Sequence, residues 1–139
     1  MTDLTIGQTA QSSKRITDTD LSLFAAVTRD FNPVHFDPVY AAGTHFKEPI
    51  AHGMIAAGLV SAVLGMKLPG PGTVYLQQTL NFLAPVMVGD VITASVEVVE
   101  LLEKGKVRLK TSCVNQKGVT VLDGVALVSV PLEKIGQGI

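Results

Sequence analysis

The residues able to do chemistry crowd into one short stretch, DFNPVHFD at 30–37. Two acids, an amide and a histidine sit there between two apolar, helix-like runs. Asp30 and His35 are five residues apart and would not share a face of a continuous helix, but Pro33 argues against continuity. In a loop after a helix, both side chains could turn toward one point. A carboxylate and an imidazole meeting there could bind and activate one water. The plainer reading makes Asp30, Asn32 and Asp37 loop and cap residues, and His35 a surface or core histidine. Residue types and spacing alone lean toward that plainer reading.

A second cluster is AHGM at 51–54. His52 and Gly53 stand where a long apolar helix should begin, and a helix start presents unpaired N–H groups and the positive end of a dipole. A glycine there lets a ligand carbonyl come close, which suits an oxyanion hole for a thioester or another carbonyl. Equally simply, Gly53 permits tight packing and His52 caps or packs. Ser61 lies inside the apolar helix, where a serine commonly bonds to the preceding turn. It lacks the GxSxG elbow of a serine nucleophile. His45 makes a third histidine with His35 and His52, but no HExxH or tight Cys/His pattern supports a metal, and none is expected. Cys113 is the only cysteine, so no internal disulfide is possible. In VRLKTSCVN it alternates with apolar residues and reads as core.

The elements that must position these groups follow from a change of period along the chain. ITDTDLSLFAAVTRDF predicts a helix capped by Thr17 with Asp20 three residues on, presenting Leu21, Phe24, Ala25 and Thr28 on one face and ending at Asn32-Pro33. DPVYAAGTHF predicts a short helix with Asp37 as cap and Pro38 at its first position. From about His52 to Lys67 the chain is apolar on nearly every side, which predicts a helix buried all round. The second half reads as strands: TVYLQQTLNFLAPV, then VITASVEVVELLE and KVRLKTSCVN divided by a turn at Lys104-Gly105-Lys106, then VTVLDGVALVSVP after Lys117-Gly118. Short turns between long strands imply antiparallel neighbours. The tail beyond Pro131 reads as short and loose. The expected fold class is α+β: a single domain over 1–139 in which a long curved antiparallel sheet wraps one buried helix.

The chain has 139 residues, 47% of them hydrophobic and only 17% charged, with a formal net charge of −1. So little charge on a small surface suggests that a partner covers part of it, and a single sheet leaves edges that dimerisation would protect. There is no Trp, aromatics are 5%, and Lys and Arg are scattered. Neither a basic face nor a stacking platform for nucleic acid is apparent. No basic start followed by an apolar run marks a signal peptide, and MIAAGLVSAVLGM is too short to span a bilayer, so no membrane partner and a cytoplasmic setting are expected.

Taken with these elements, DFNPVHFDPVYAAGTHFKEPIAHGMIAAGLVSAVLGMKLPG and the later YLQQTLNFLAPVMVGDVI resemble the MaoC-like (R)-specific enoyl-CoA hydratases of the hot dog fold. The motif is D-x-N-P-x-H-x-D followed by an H-G-M helix start, and the resemblance runs from Ile6-Gly7 through Pro131. It implies that Asp30 and His35 are the catalytic acid–base pair and that Asn32 supports their loop. Gly53 would offer its N–H to the thioester oxygen, Ser61 would sit beside the catalytic pocket, and His52 would be structural. It also implies a homodimer with a continuous sheet and an acyl-CoA substrate, coenzyme A being part of the substrate rather than a cofactor. Leu59, Val63, Leu64 and Met66 could narrow an acyl tunnel. The alternatives are a 3-hydroxyacyl-[acyl-carrier-protein] dehydratase, a hot dog thioesterase and a non-catalytic acyl-thioester binding subunit.

Overall fold

The computed structural model describes residues 3–134. Helix α1 (Asp18–Thr28) starts as the sequence predicts. The Thr17 hydroxyl accepts from the Asp20 N–H at 3.2 Å, and the Asp20 carboxylate accepts from the Thr17 N–H at 2.9 Å. This reciprocal pair satisfies two of the donors that a helix start leaves open. Leu21 and Ala25 are buried beneath it. The helix ends at Arg29, which turns into the left-handed region with φ of 67°. Two short helices follow, α2 (Pro33–Phe36) and α3 (Pro38–Ala42), each with proline in its first turn, where no N–H is needed. Then comes α4 (Gly53–Met66), with His52 and Lys67 as its caps.

The strands are β1 (Thr9–Arg15), β2 (Val74–Gln78), β3 (Asn81–Phe82), β4 (Val91–Leu101), β5 (Lys106–Val114) and β6 (Thr120–Ser129). They form one antiparallel sheet in the order β1-β4-β5-β6-β2, with β3 also paired to β6. The buried side chains of β4 (Ile92, Ala94, Val96, Val98) and β5 (Val107, Leu109, Cys113) join Ala56, Val60, Val63 and Leu64 of α4 in one core. The Cys113 thiol reaches the Ala56 carbonyl at 3.5 Å, and burial pushes its pKa up to about 11, so it packs as an inert core residue. No described helix is long and apolar enough to cross a membrane.

Several features depart from the sequence reading. Helix α1 stops at Thr28 rather than at Asn32-Pro33, because Arg29 turns into the left-handed region, and Pro33 opens the short α2 where a loop was expected. Strand β1 was not anticipated, because TAQSSKR is an almost wholly exposed edge with no apolar alternation; only its register on β4, from Thr9 opposite Glu97 to Arg15 opposite Val91, makes it a strand. The run TVYLQQTLNFLAPV is two strands rather than one. The chain breaks at Thr79, whose carbonyl lies so close over Gly124 of β6 that a Cβ there would meet it at 1.8 Å. Helix α4 is not buried all round, since Met54, Gly58, Ser61, Ala62 and Met66 form an exposed side. Lys134 is tied down, its carbonyl accepting from the Leu4 N–H at 2.7 Å and its ammonium reaching Pro69 O at 3.0 Å. The rest of the tail predicted to be loose lies outside the described residues.

Candidate active site

Two consecutive side-chain turns fold the DFNP loop. The Asp30 Oδ1 accepts from the Asn32 N–H at 3.2 Å, and the Asn32 Oδ1 accepts from the Val34 N–H at 3.1 Å, capping α2. Asp37 caps α3 in the same way. The plainer reading of these polar residues therefore holds for Asn32 and Asp37. For Asp30 it holds for one oxygen only, because Oδ2 has no partner among the described residues.

His35 projects from α2 against the segment that enters α4. Its Nδ1 is 2.6 Å from the Ile50 carbonyl oxygen. A carbonyl only accepts, so Nδ1 carries the hydrogen and Nε2 keeps its lone pair. Burial holds the imidazole below its ordinary value of 6.5. The Ile50 hydrogen bond pulls the other way, His52 lowers it again, and the Asp30 charge raises it. The net result is a neutral imidazole whose open nitrogen is a base.

His52 is 3% exposed and stacks on His35, with ring centroids 3.8 Å apart. Its Nε2 lies 3.0 Å from the Asp30 backbone carbonyl. Asp30, His35 and His52 each bring one ligand-type atom within 4.8 Å of the others. The two imidazoles face each other as a stack, and each gives one nitrogen to a backbone carbonyl, which fixes its ring.

His35 and Gly53 line the same cavity, of about 560 Å³, whose other walls include Phe46, Met54, Phe82 and Leu83. The first N–H groups of α4, on Gly53 and Met54, have no acceptor among the described residues. The tight packing that the sequence offered as the plainer reason for Gly53 is present: a Cβ there would lie 2.9 Å from the Phe82 ring, which would have to shift. The glycine lets that ring close over the helix start. An apolar cavity with a base on one wall and open N–H donors at a helix start can activate water beside a polarised carbonyl.

A family model described as MaoC like domain matches residues 3–122. The chain belongs to this family. Among MaoC-like relatives, it is similar to a 3-hydroxybutyryl-CoA dehydratase of Methylorubrum extorquens, at 51% identity over 93% of this chain and 82% of the relative. It is also similar to solved MaoC-like structures. One is the R-hydratase PhaJ1 of Pseudomonas aeruginosa, with 51% identity and a TM-score of 0.88 over 92% of this chain and 83% of that one. Another is the (R)-hydratase of Aeromonas caviae involved in PHA biosynthesis, with 47% identity and a TM-score of 0.89 over 92% and 98%. The shared architecture is the hot dog fold that the motif implied.

The structure brings Asp30, Asn32, His35, His52 and Gly53 together. Ser61 stands apart. It lines a second hollow of about 580 Å³ with Phe24, Thr28, Tyr75 and Gln78, and only Met54 borders both. His45 is exposed and stacks on Phe46 without lining the cavity. Nor do Leu59, Val63, Leu64 and Met66 narrow either hollow: Val63 and Leu64 are core, Leu59 packs against the core, and Met66 is exposed. Sequence reasoning missed Phe82 and the Ile50 carbonyl. A bulky apolar residue in a strand-like run signals no role, and a backbone oxygen has no signature in sequence at all.

Proposed function

We propose that the protein catalyses the reversible (R)-specific hydration of trans-2-enoyl-CoA to (R)-3-hydroxyacyl-CoA, with water added syn. The observation that carries this reading is the forced tautomer of His35. Its open Nε2 and the unpartnered Oδ2 of Asp30 are both acceptors, so one water donates a hydrogen to each and turns its lone pair toward C3 of the enoyl group. His35 takes one proton as the oxygen bonds to C3, and returns a proton from Nε2 to C2. The Asp30 carboxylate accepts a hydrogen bond from the water's other hydrogen, which stays on the new hydroxyl, and balances the transient imidazolium. Negative charge grows on the thioester oxygen, where the Gly53 N–H and the α4 dipole stabilise it. Placing water and proton donor on one face makes the addition syn, and the reverse sequence dehydrates. No cofactor is needed, since every proton comes from water or from His35. Coenzyme A enters as the carrier portion of the substrate.

The working form in this proposal is a homodimer. Strand β2 is a sheet edge bearing exposed Val74, Tyr75 and Leu76, and the bare side of α4 lies next to it across the second hollow. Exposed apolar side chains beside an open edge favour a second copy. A cytoplasmic setting suits a chain whose only cysteine is a buried thiol.

Product analysis tests the reaction. Incubation with crotonyl-CoA should give (R)-3-hydroxybutyryl-CoA with no free thiol. The (S) product would refute the facial assignment, and thiol release would mean a thioesterase.

A further inference from the structure

His52 is the most enclosed titratable group near the site, and the chemistry above gives it no role. Its Nε2 meets the Asp30 backbone carbonyl at 3.0 Å. The carbonyl can only accept, so Nε2 carries the hydrogen. That leaves a lone pair on Nδ1, which is buried and has no partner among the described residues. His52 therefore spends its one N–H on the Asp30 backbone. It forms no side-chain cap on α4 either, although it stands at the N-cap position. Its ring meets the acid–base segment at the Asp30 carbonyl, the His35 ring at 3.8 Å and the Phe36 ring at 5.6 Å, and it meets α1 at the Phe24 ring at 4.7 Å.

The Asp30 loop needs such an anchor. Asp30 is exposed and follows a residue in the left-handed region. It is held locally by its N–H to the Thr28 hydroxyl at 3.2 Å and by its own carboxylate turn. Neither bond fixes the loop to the rest of the protein, whereas His52 spans 22 residues and connects it to the start of α4. His35 is likewise tied to the segment before α4, through Ile50. We propose that His52 is a positioning residue that pins the Asp30 backbone with its Nε2–H and braces the His35 ring with its face, so that acid, base and the Gly53 N–H keep one spacing.

This inference rests on the hydratase reading, and its test separates the two. In His52→Gln the amide nitrogen stands about where Nε2 does, while in His52→Asn the donor falls short of Asp30. With crotonyl-CoA, misplacement of the pair should lower kcat of the Asn variant about hundredfold while the Gln variant stays within about tenfold of wild type, both with little change in KM. Equal loss in the two variants would overturn the donor role. Nitrogen-15 NMR of histidine-labelled wild-type protein gives a result that depends neither on variant folding nor on activity. It should show His52 as the Nε2–H tautomer. An Nδ1–H tautomer would overturn the inference even if hydration is observed. An inactive wild type with the Nε2–H tautomer would sink the hydratase reading and leave the anchor standing.

Discussion

Two hollows of nearly equal volume lie on either side of Met54, about 560 Å³ and about 580 Å³, and both are mainly apolar. They differ in what their polar groups have left to give. In the first, the His35 Nε2 and the Gly53 N–H are uncommitted. In the second, the Tyr75 hydroxyl donates to the Gln78 Oε1 at 2.6 Å, and the Gln78 amide donates to the buried Thr111 hydroxyl at 3.0 Å and the Thr79 carbonyl at 2.8 Å. Burial pushes the Tyr75 phenol up to about 12, with Cys113 adding to it, so it remains a donor. Tyr75, Gln78 and Thr111 thus satisfy one another, whereas the first hollow holds an open base beside an open N–H donor, and that pairing, not volume, marks it as the candidate reactive site.

The comparison breaks most visibly at the acid–base pair. Asp30→Asn and His35→Gln should each lower kcat about hundredfold or more, with melting temperatures near wild type, because Asp30 is exposed, His35 is half-buried and neither belongs to the core. Near-normal turnover in either folded variant would remove that residue from the chemistry. Gly53→Ala comes next. Its Cβ must displace the Phe82 ring, and a shifted oxyanion donor should lower kcat/KM by about tenfold to hundredfold. Adding Phe82→Leu should restore part of that loss. No recovery in the double variant would mean that the ring is not what the methyl group strikes.

The pH profile sharpens the contrast further. Hydration requires neutral His35, and its value is depressed, so the acid limb of kcat/KM should have its midpoint below 6.5, with Asp30 and His52 the titratable groups facing it. The same depressed value contributes stability that is present above the unfolded value and lost as pH falls through the folded one. A midpoint above 6.5 would contradict the burial argument. At the second hollow, Leu76→Asp on the exposed β2 edge should reduce the light-scattering mass from two chains to one. An unchanged dimer would place the interface elsewhere. The smallest effect belongs to Tyr75→Phe, which removes one satisfied hydrogen bond. It should cost about 1 kcal/mol of stability and leave kcat close to wild type.

Much of this was legible in the sequence where local chemistry decides the outcome. The Thr17–Asp20 box, the proline opening α3, and the long alternation of β4 through β6 are set by neighbours a few residues apart. Strand β1 was not legible, because only its partner β4 gives TAQSSKR a reason to be extended. The break at Thr79 depends on Gly124, 45 residues away, and no window of sequence contains both. At the site, the residue types marked Asp30, His35 and Gly53 as candidates. The protonation pattern that separates their roles depends on two backbone carbonyls, Ile50 and Asp30, which residue type cannot place. Ser61, which the resemblance places beside the catalytic pocket, stands across Met54 from His35 in the single chain.

The central claim is that the open nitrogen of His35, beside Asp30, adds water to an enoyl thioester. It is tested most directly by following the conjugated-thioester absorbance of crotonyl-CoA with wild type and His35→Gln side by side, a thiol reagent being present in a parallel cuvette. The account predicts rapid loss of absorbance with wild type, about hundredfold slower loss with the variant, and no thiol in either. Equal rates for the two proteins, or thiol released in step with the absorbance change, would contradict it.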